Sequence, residues 1–216
     1  MRKFKIILSF AMVLTMTLFL NATAYAATTN DKDVISSAED FANKYNITTN
    51  EALNLADNLE KAIDNLPTLK AGESTTVRVS ENLYLEAKTE LTPSTSKVNA
   101  ANASTSSTVQ YTVTSNLYLK NYLNITIVTL TAVGVFLANG TVTVPVDAYG
   151  NYSAVLWSVT NSSSTVGPSG YTAYARVSFE GQFDLGIDPV SITIQSFSKS
   201  CTLYCNAVGG YSASWN

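Results

Sequence analysis

Between Asn121 and Val146 the chain reads "NYLNITIVTLTAVGVFLANGTVTVPV", 26 consecutive residues without a charge. A stretch of that length and character crosses a membrane as a helix, enters one as a hairpin, or folds as buried strands. Thr126, Thr129 and Thr131 interrupt it, its middle is β-branched, and Asn139-Gly140 lies between two alternating halves. Both central positions of a type I′ turn need positive φ, which Asn and Gly tolerate, so the dipeptide predicts a hairpin and would cut a spanning helix in two. The expectation is a strand over Leu123 to Ala138, with a break or bulge near Gly134, paired with a strand over Thr141 to Val146.

The same alternation continues in "NYSAVLWSVT", "TAYARVSFEGQF", "DPVSITIQSFS" and "CTLYCNAV", separated by turns rich in Gly, Ser, Asn and Pro. Short strands at that spacing predict a mainly β fold, an antiparallel β-sandwich of immunoglobulin-like size over residues 109–216. Before it, residues 92–108 are small, polar and aperiodic, which reads as a flexible linker. "ESTTVRVSENLYLEAKTEL" alternates on either side of Ser80 to Asn82, predicting a small β-hairpin over 71–91. Its "VSENLYL" is echoed 34 residues later by "VTSNLYL", which predicts two strands with similar faces rather than a repeat array.

Residues 27–70 read as helical. Ser36 with Glu39, and Thr48 with Glu51, have the spacing of capping boxes, in which each partner satisfies a backbone donor of the other's neighbourhood at a helix start. Ala52, Ala56, Leu59, Ile63 and Leu66 then form one apolar stripe that ends at Pro67, so a helical hairpin is expected over 36–66. The N-terminus itself opens MRKFK, continues as an apolar run from Ile6 to Leu20, and closes on "NATAYA" before Ala27. That is the pattern of a secretory signal peptide, residues 1–26, so the expected product is secreted and extracellular, with no stable membrane span after cleavage.

Loss of Arg2, Lys3 and Lys5 with the leader leaves 10 basic against 16 acidic residues, a net charge of −6. Nucleic acid rewards clustered Lys and Arg, so no nucleic-acid partner is expected. The chain contains no histidine, which removes Ser-His-Asp and Cys-His triads and the common zinc motifs. Glu180, Asp184 and Asp188 are the carboxylates from which an acid–base pair of a glycosidase could be drawn, but beside Gly181, Gly186 and Pro189 they read better as solvated turn residues. No catalytic residue, cofactor or metal is expected.

Cys201 and Cys205 are the only cysteines. Export favours a disulfide, yet residues four apart on a regular strand lie ~13 Å from each other, against the ~7 Å that a bridge permits. A bridge needs a bulge there, and bridge and free thiols both remain open. Tyr149, Tyr152, Tyr171 and Tyr174 fall near turns and could contact a ligand through their rings, or line cross-strand pairs; Trp157 reads as core.

At "NITIVTLTAVGVFLANGTVTV", "LWSVT", "YTAYARVSFEGQFDLGIDPVSITIQS" and "TLYCNAVGG" the chain resembles a group of small secreted proteins of Gram-positive bacteria, over roughly its last half. The resemblance implies an exported β-sandwich, often behind a helical N-terminal segment, and carries over no catalytic residue, since that group has no assigned activity. Cys205 matches the late cysteine of the pattern and Cys201 is an addition, so a shared disulfide stays open. The expected function is therefore a secreted, non-enzymatic protein that binds an extracellular or cell-envelope partner. The alternative is a membrane-active, bacteriocin-like toxin held quiet by a pro-segment over residues 27–70.

Overall fold

The computed structural model describes residues 31–94, 108–154, 157–185 and 192–216, and within them the side chains other than those of 31–34, 94, 157–162, 183–185 and 192–194. The leader at 1–26, most of the expected linker and the Trp157 side chain lie outside the described residues. Helix α1 spans Asp31–Tyr45, α2 Thr49–Leu53 and α3 Leu55–Asp64. The strands are β1 Leu69–Lys70, β2 Ser74–Arg78, β3 Leu83–Ser94, β4 Val109–Asn121, β5 Thr126–Ala138, β6 Thr143–Ala154, β7 Trp157–Val166, β8 Thr172–Leu185, β9 Ile192–Asn206 and β10 Tyr211–Trp215. They form two antiparallel five-stranded sheets, ordered β1-β10-β9-β8-β7 and β2-β3-β4-β5-β6. The expected sandwich is what the alternation builds.

Period-two patterning decides which side of each sheet is dry. In the second sheet Leu85, Leu119 and Val128 share one row across β3, β4 and β5, and all three are buried. Their strand neighbours Glu86, Tyr118 and Thr129 share the opposite face. The echo is explained here: "NLYL" occurs once on β3 and once on β4, and each copy sends two leucines inward and its tyrosine outward. The first sheet answers with Ala175, Val177, Phe179 and Leu203, and Phe179 stacks on Trp215 of β10 at 5.8 Å between ring centroids. The sheets approach so closely at Gly134 that a Cβ there would lie 2.9 Å from the Cβ of Ala175.

Several boundaries differ from expectation, each for a physical reason. The hairpin of 71–91 is not separate from the sandwich. β3 runs on to Ser94 and pairs with β4 from Leu83↔Asn121 to Ser94↔Gln110, because its alternation continues through Leu91. Ile192–Asn206 is a single strand, β9, so "ITIQSFS" and "CTLYCN" run on through Lys199-Ser200, where no Gly, Pro or Asn turns the chain. "NYSAVLWSVT" instead straddles the end of β6 and the start of β7. The register shift of β5 against β6 falls at Val135/Phe136, next to the break expected near Gly134.

Asn139-Gly140 turns the chain, but not as type I′. Only Gly140 has a positive φ (85°), and Asn139 uses its side chain instead: Oδ1 accepts the amides of Thr141 (3.0 Å) and Val142 (2.9 Å). The result is a four-residue loop with Ala138 paired to Thr143, so β6 begins two residues later than expected.

The helices belong to the same core. Phe41, Leu55, Leu59 and Ile63 are buried in one continuous apolar cluster with the inward residues of both sheets. Ser36 is not a cap: α1 is already helical at Asp31, and Ser36 lies exposed within it. The box at Thr48 is present in full, with Glu51 donating its backbone N–H to Thr48 Oγ1 and accepting the Thr48 N–H. The stripe runs over two helices, not one, because the chain breaks at Asn54. Gln195 of β9 fills the break, its Oε1 accepting the Ala56 N–H (2.6 Å) and its Nε2 donating to the Leu53 carbonyl. Further along, β9 extends beyond β10, and α3 covers the uncovered stretch: Glu60 Oε1 accepts the Ser198 N–H (3.1 Å) and Asp64 pairs with Lys199 (2.5 Å). An edge that would offer its amides to another chain is closed by helix side chains.

Candidate functional site

β5 ends, β6 begins, β7 ends, β8 begins and β9 ends at one end of the sandwich, away from the helices. Three loops therefore meet there: Asn139–Val142, Gly167–Tyr171 and Ala207–Gly210. Their backbones are stitched to one another. Gly140 donates to the Ala207 carbonyl (2.9 Å), Ala207 donates to the Tyr171 carbonyl (2.8 Å), and Thr143 and Gly170 exchange bonds of 2.6 and 3.0 Å. Within the third loop, Asn206 Oδ1 accepts the amides of Val208 (3.1 Å) and Gly210 (2.7 Å).

Tight ring-to-backbone contacts complete the scaffold. A Cβ at Gly167 would lie 2.3 Å from the Tyr174 ring, and one at Gly209 would lie 2.8 Å from the Tyr111 ring, so both glycines are close-approach points. What projects from this rigid frame is apolar and aromatic: Val208 is 63% exposed and Tyr171 59%, with Val142, Val144, Val166, Tyr174 and Tyr204 also exposed. No charged residue occurs in Asn139–Val146, Val159–Ala175 or Cys201–Asn216. Tyr, Ser, Gly and Asn on loops held by a β scaffold are the residue types of adaptable recognition surfaces, because large rings supply contact area at little entropic cost.

Of the four tyrosines singled out by sequence, two are here. Tyr171 tips its loop, and Tyr174 forms a cross-strand pair with Tyr204, ring centroids 6.3 Å apart. Tyr149 and Tyr152 are exposed on β6 but do not join them. Tyr149 lies opposite Val133 on the outer face of the second sheet, and Tyr152 lies opposite Leu130 further from the loop end. Sequence reasoning passed over Val208, Val142 and Tyr204. The signal was available in the charge-free runs, but which runs converge is a matter of strand order, and strand order is not written in a local pattern.

The remaining candidates lead elsewhere. Glu180 is exposed on β8, and the Asp184 side chain and Asp188 lie outside the described residues. Among the described residues no cluster of three or more His, Cys, Asp or Glu could hold a metal ion. Cys201 and Cys205 are free, buried and on one regular strand, so the disulfide is not formed, for the reason of span given above. Burial raises both thiols, Cys205 to about 11 and Cys201 further, against a smaller opposing effect of the Ser115 hydroxyl on Cys201. Neither is ionised near neutrality, and the thiolate is the reactive form. Ellman's reagent is therefore expected to label no thiol in the folded protein and two on unfolding in urea; labelling of the native chain at the rate of a free peptide thiol would contradict the burial.

Comparison with protein-family models, with curated proteins and with solved structures found no match for this chain.

Proposed function

We propose that this chain is an exported, non-enzymatic binding protein that engages an extracellular or cell-envelope partner through its uncharged three-loop end. The observation that carries the reading is the cross-stitching of the loops. Backbone groups that could have bonded water bond one another, so the exposed rings and valines are held in place before any partner arrives, and little order remains to be lost on binding. Absence of charge from the three loops themselves favours a neutral partner such as a glycan polymer over a nucleic acid. The leader motif supports export, and the absence of histidine, which removes the common triads and zinc motifs, supports binding rather than catalysis.

A toxin silenced by residues 27–70 has less support. Leu55, Leu59 and Ile63 are core residues, and a removable pro-segment does not ordinarily supply the core of what it leaves behind.

The test is retention on purified peptidoglycan, chitin and cellulose. Retention on at least one is expected, falling by about tenfold in Tyr171→Ala and in Tyr204→Ala, each a ring worth ~1–2 kcal/mol at an interface. Retention that is indifferent to both substitutions would place the binding surface elsewhere; no retention on any of the three would reject a polymeric glycan as the partner.

A further inference from the structure

Much of the molecule converges on β9. β8 pairs with one flank, β10 with the other, and α3 and the break before it dock on its first half. Both cysteines lie on the second half. Cys201 is seated between Val177 and Trp215, and Cys205 between Ala173 and Tyr211, with no shift of register on either side of that stretch. The two thiols and the Leu203 side chain between them are fully buried in the core that joins the sheets. There the Ser115 hydroxyl of the facing sheet lies beside the Cys201 thiol and accepts the Trp215 indole N–H (3.0 Å), while Cys205 donates its S–H to the Asn206 carbonyl (3.6 Å).

This placement makes a bridge and the fold exclusive of each other. Drawing the two Cα atoms from a strand separation of ~13 Å to the ~7 Å of a disulfide moves them together by roughly 6 Å. β9 would have to buckle there, taking Cys201 from between Val177 and Trp215 and Leu203 from the core, in the middle of a sheet and not at an edge that could absorb a kink. An unfolded chain meets no such obstacle, because only three residues separate two thiols that water then reaches. We propose that Cys201 and Cys205 form a redox lock on folding: bridged, the chain cannot build β9; reduced, it folds and thereby shuts both sulfurs away from oxidants. The oxidant is a small disulfide such as oxidised glutathione. One cysteine thiolate attacks it, forming a mixed disulfide and releasing one glutathione; the second thiolate attacks the protein sulfur of that mixed disulfide, closing the bridge and releasing the other. Both thiol protons and both electrons end on the two glutathione molecules, and a dithiol reverses the exchange. The coupling is reciprocal, so whatever favours the fold disfavours the bridge by the same factor.

The test starts from the chain unfolded in urea with oxidised glutathione. A monomer lighter by two hydrogens is expected, with the loss located in the peptide that contains both cysteines. Diluted from urea beside the reduced chain, this monomer shows neither a cooperative melting transition nor the near-ultraviolet dichroism of a packed core; the reduced chain shows both, and dithiothreitol restores both to the bridged one. A folded domain opens only about once in 10³–10⁸, so the native chain in the same oxidant loses its thiols at least about a thousandfold more slowly than the unfolded chain. A bridged monomer that melts like the reduced chain, thiols that do not bridge in urea, or a native chain oxidised as fast as the unfolded one would each overturn the proposal.

Discussion

Substituting Glu51 with alanine is expected to lower the unfolding free energy by roughly 3–4 kcal/mol, the loss of a cap combined with buried donors left without an acceptor. The carboxylate is 6% exposed and collects bonds from three places in the chain: Thr48 through its amide (2.8 Å) and hydroxyl (3.0 Å), Ser80 through its hydroxyl, and Asn82 through its amide and side chain (both 2.9 Å). One side chain therefore caps α2 and fastens it to the β2–β3 turn. Burial alone would raise its pKa, but the bonds from Asn82, Ser80 and Thr48 outweigh burial and hold it at about 2, below its ordinary value of 4.5. A carboxyl depressed in the folded state stabilises that state above its unfolded pKa and ceases to do so as the pH falls towards the folded one. Stability on the order of 3 kcal/mol is thus expected to drain away between about pH 4.5 and pH 2. Urea titrations across that window measure it. In Glu51→Gln this part of the acid slope disappears; an unaltered slope would show that the interaction is not what the bond network implies.

Removal of the helices is expected to do more. A chain beginning at Leu69 loses Phe41, Leu55, Leu59 and Ile63 from the core, each worth ~1.5–3 kcal/mol of burial, which together approach the whole stability of an ordinary domain at about 5–15 kcal/mol. It also uncovers the Ser198 amide on β9 and leaves the Gln195 amide without the Leu53 and Ala56 groups it bonds. The expected product shows no cooperative thermal transition and elutes as aggregate. A soluble truncated chain that melts cooperatively would restore the pro-segment reading, because the strands would then form a self-sufficient core.

Much of the architecture is legible in the chain because period two is a local property. Leu83 and Leu85, or Leu117 and Leu119, declare a dry face wherever they fall, and Asn139-Gly140 marks a reversal even though the turn it makes is of another kind. Thr48 and Glu51 announce a helix start for the same reason: the cap is complete within four residues. Ser36 and Glu39 show how far this goes, since their spacing is identical and the helix simply begins earlier. What local pattern does not carry is who meets whom. Nothing near Gln195 says that it will enter a helix break 139 residues upstream, and nothing near Asn121 says that Tyr45 awaits it. The loop end is hidden in the same way, its three segments being far apart in sequence and adjacent only after strand order is settled. Tyr149 and Tyr152 resemble Tyr171 and Tyr174 on paper; sheet membership separates them.

β5 runs as one strand from beside the Tyr122–Ile125 turn at Thr126 to the rim of the stitched loops at Ala138, 13 residues or about 43 Å. Hydrogen-bonded along both flanks, it is a strut with no hinge. Whatever is gripped at one extremity is consequently held at a set standoff from whatever touches the other, and lengthening or shortening the reach of this molecule would require rebuilding a sheet rather than editing a tether.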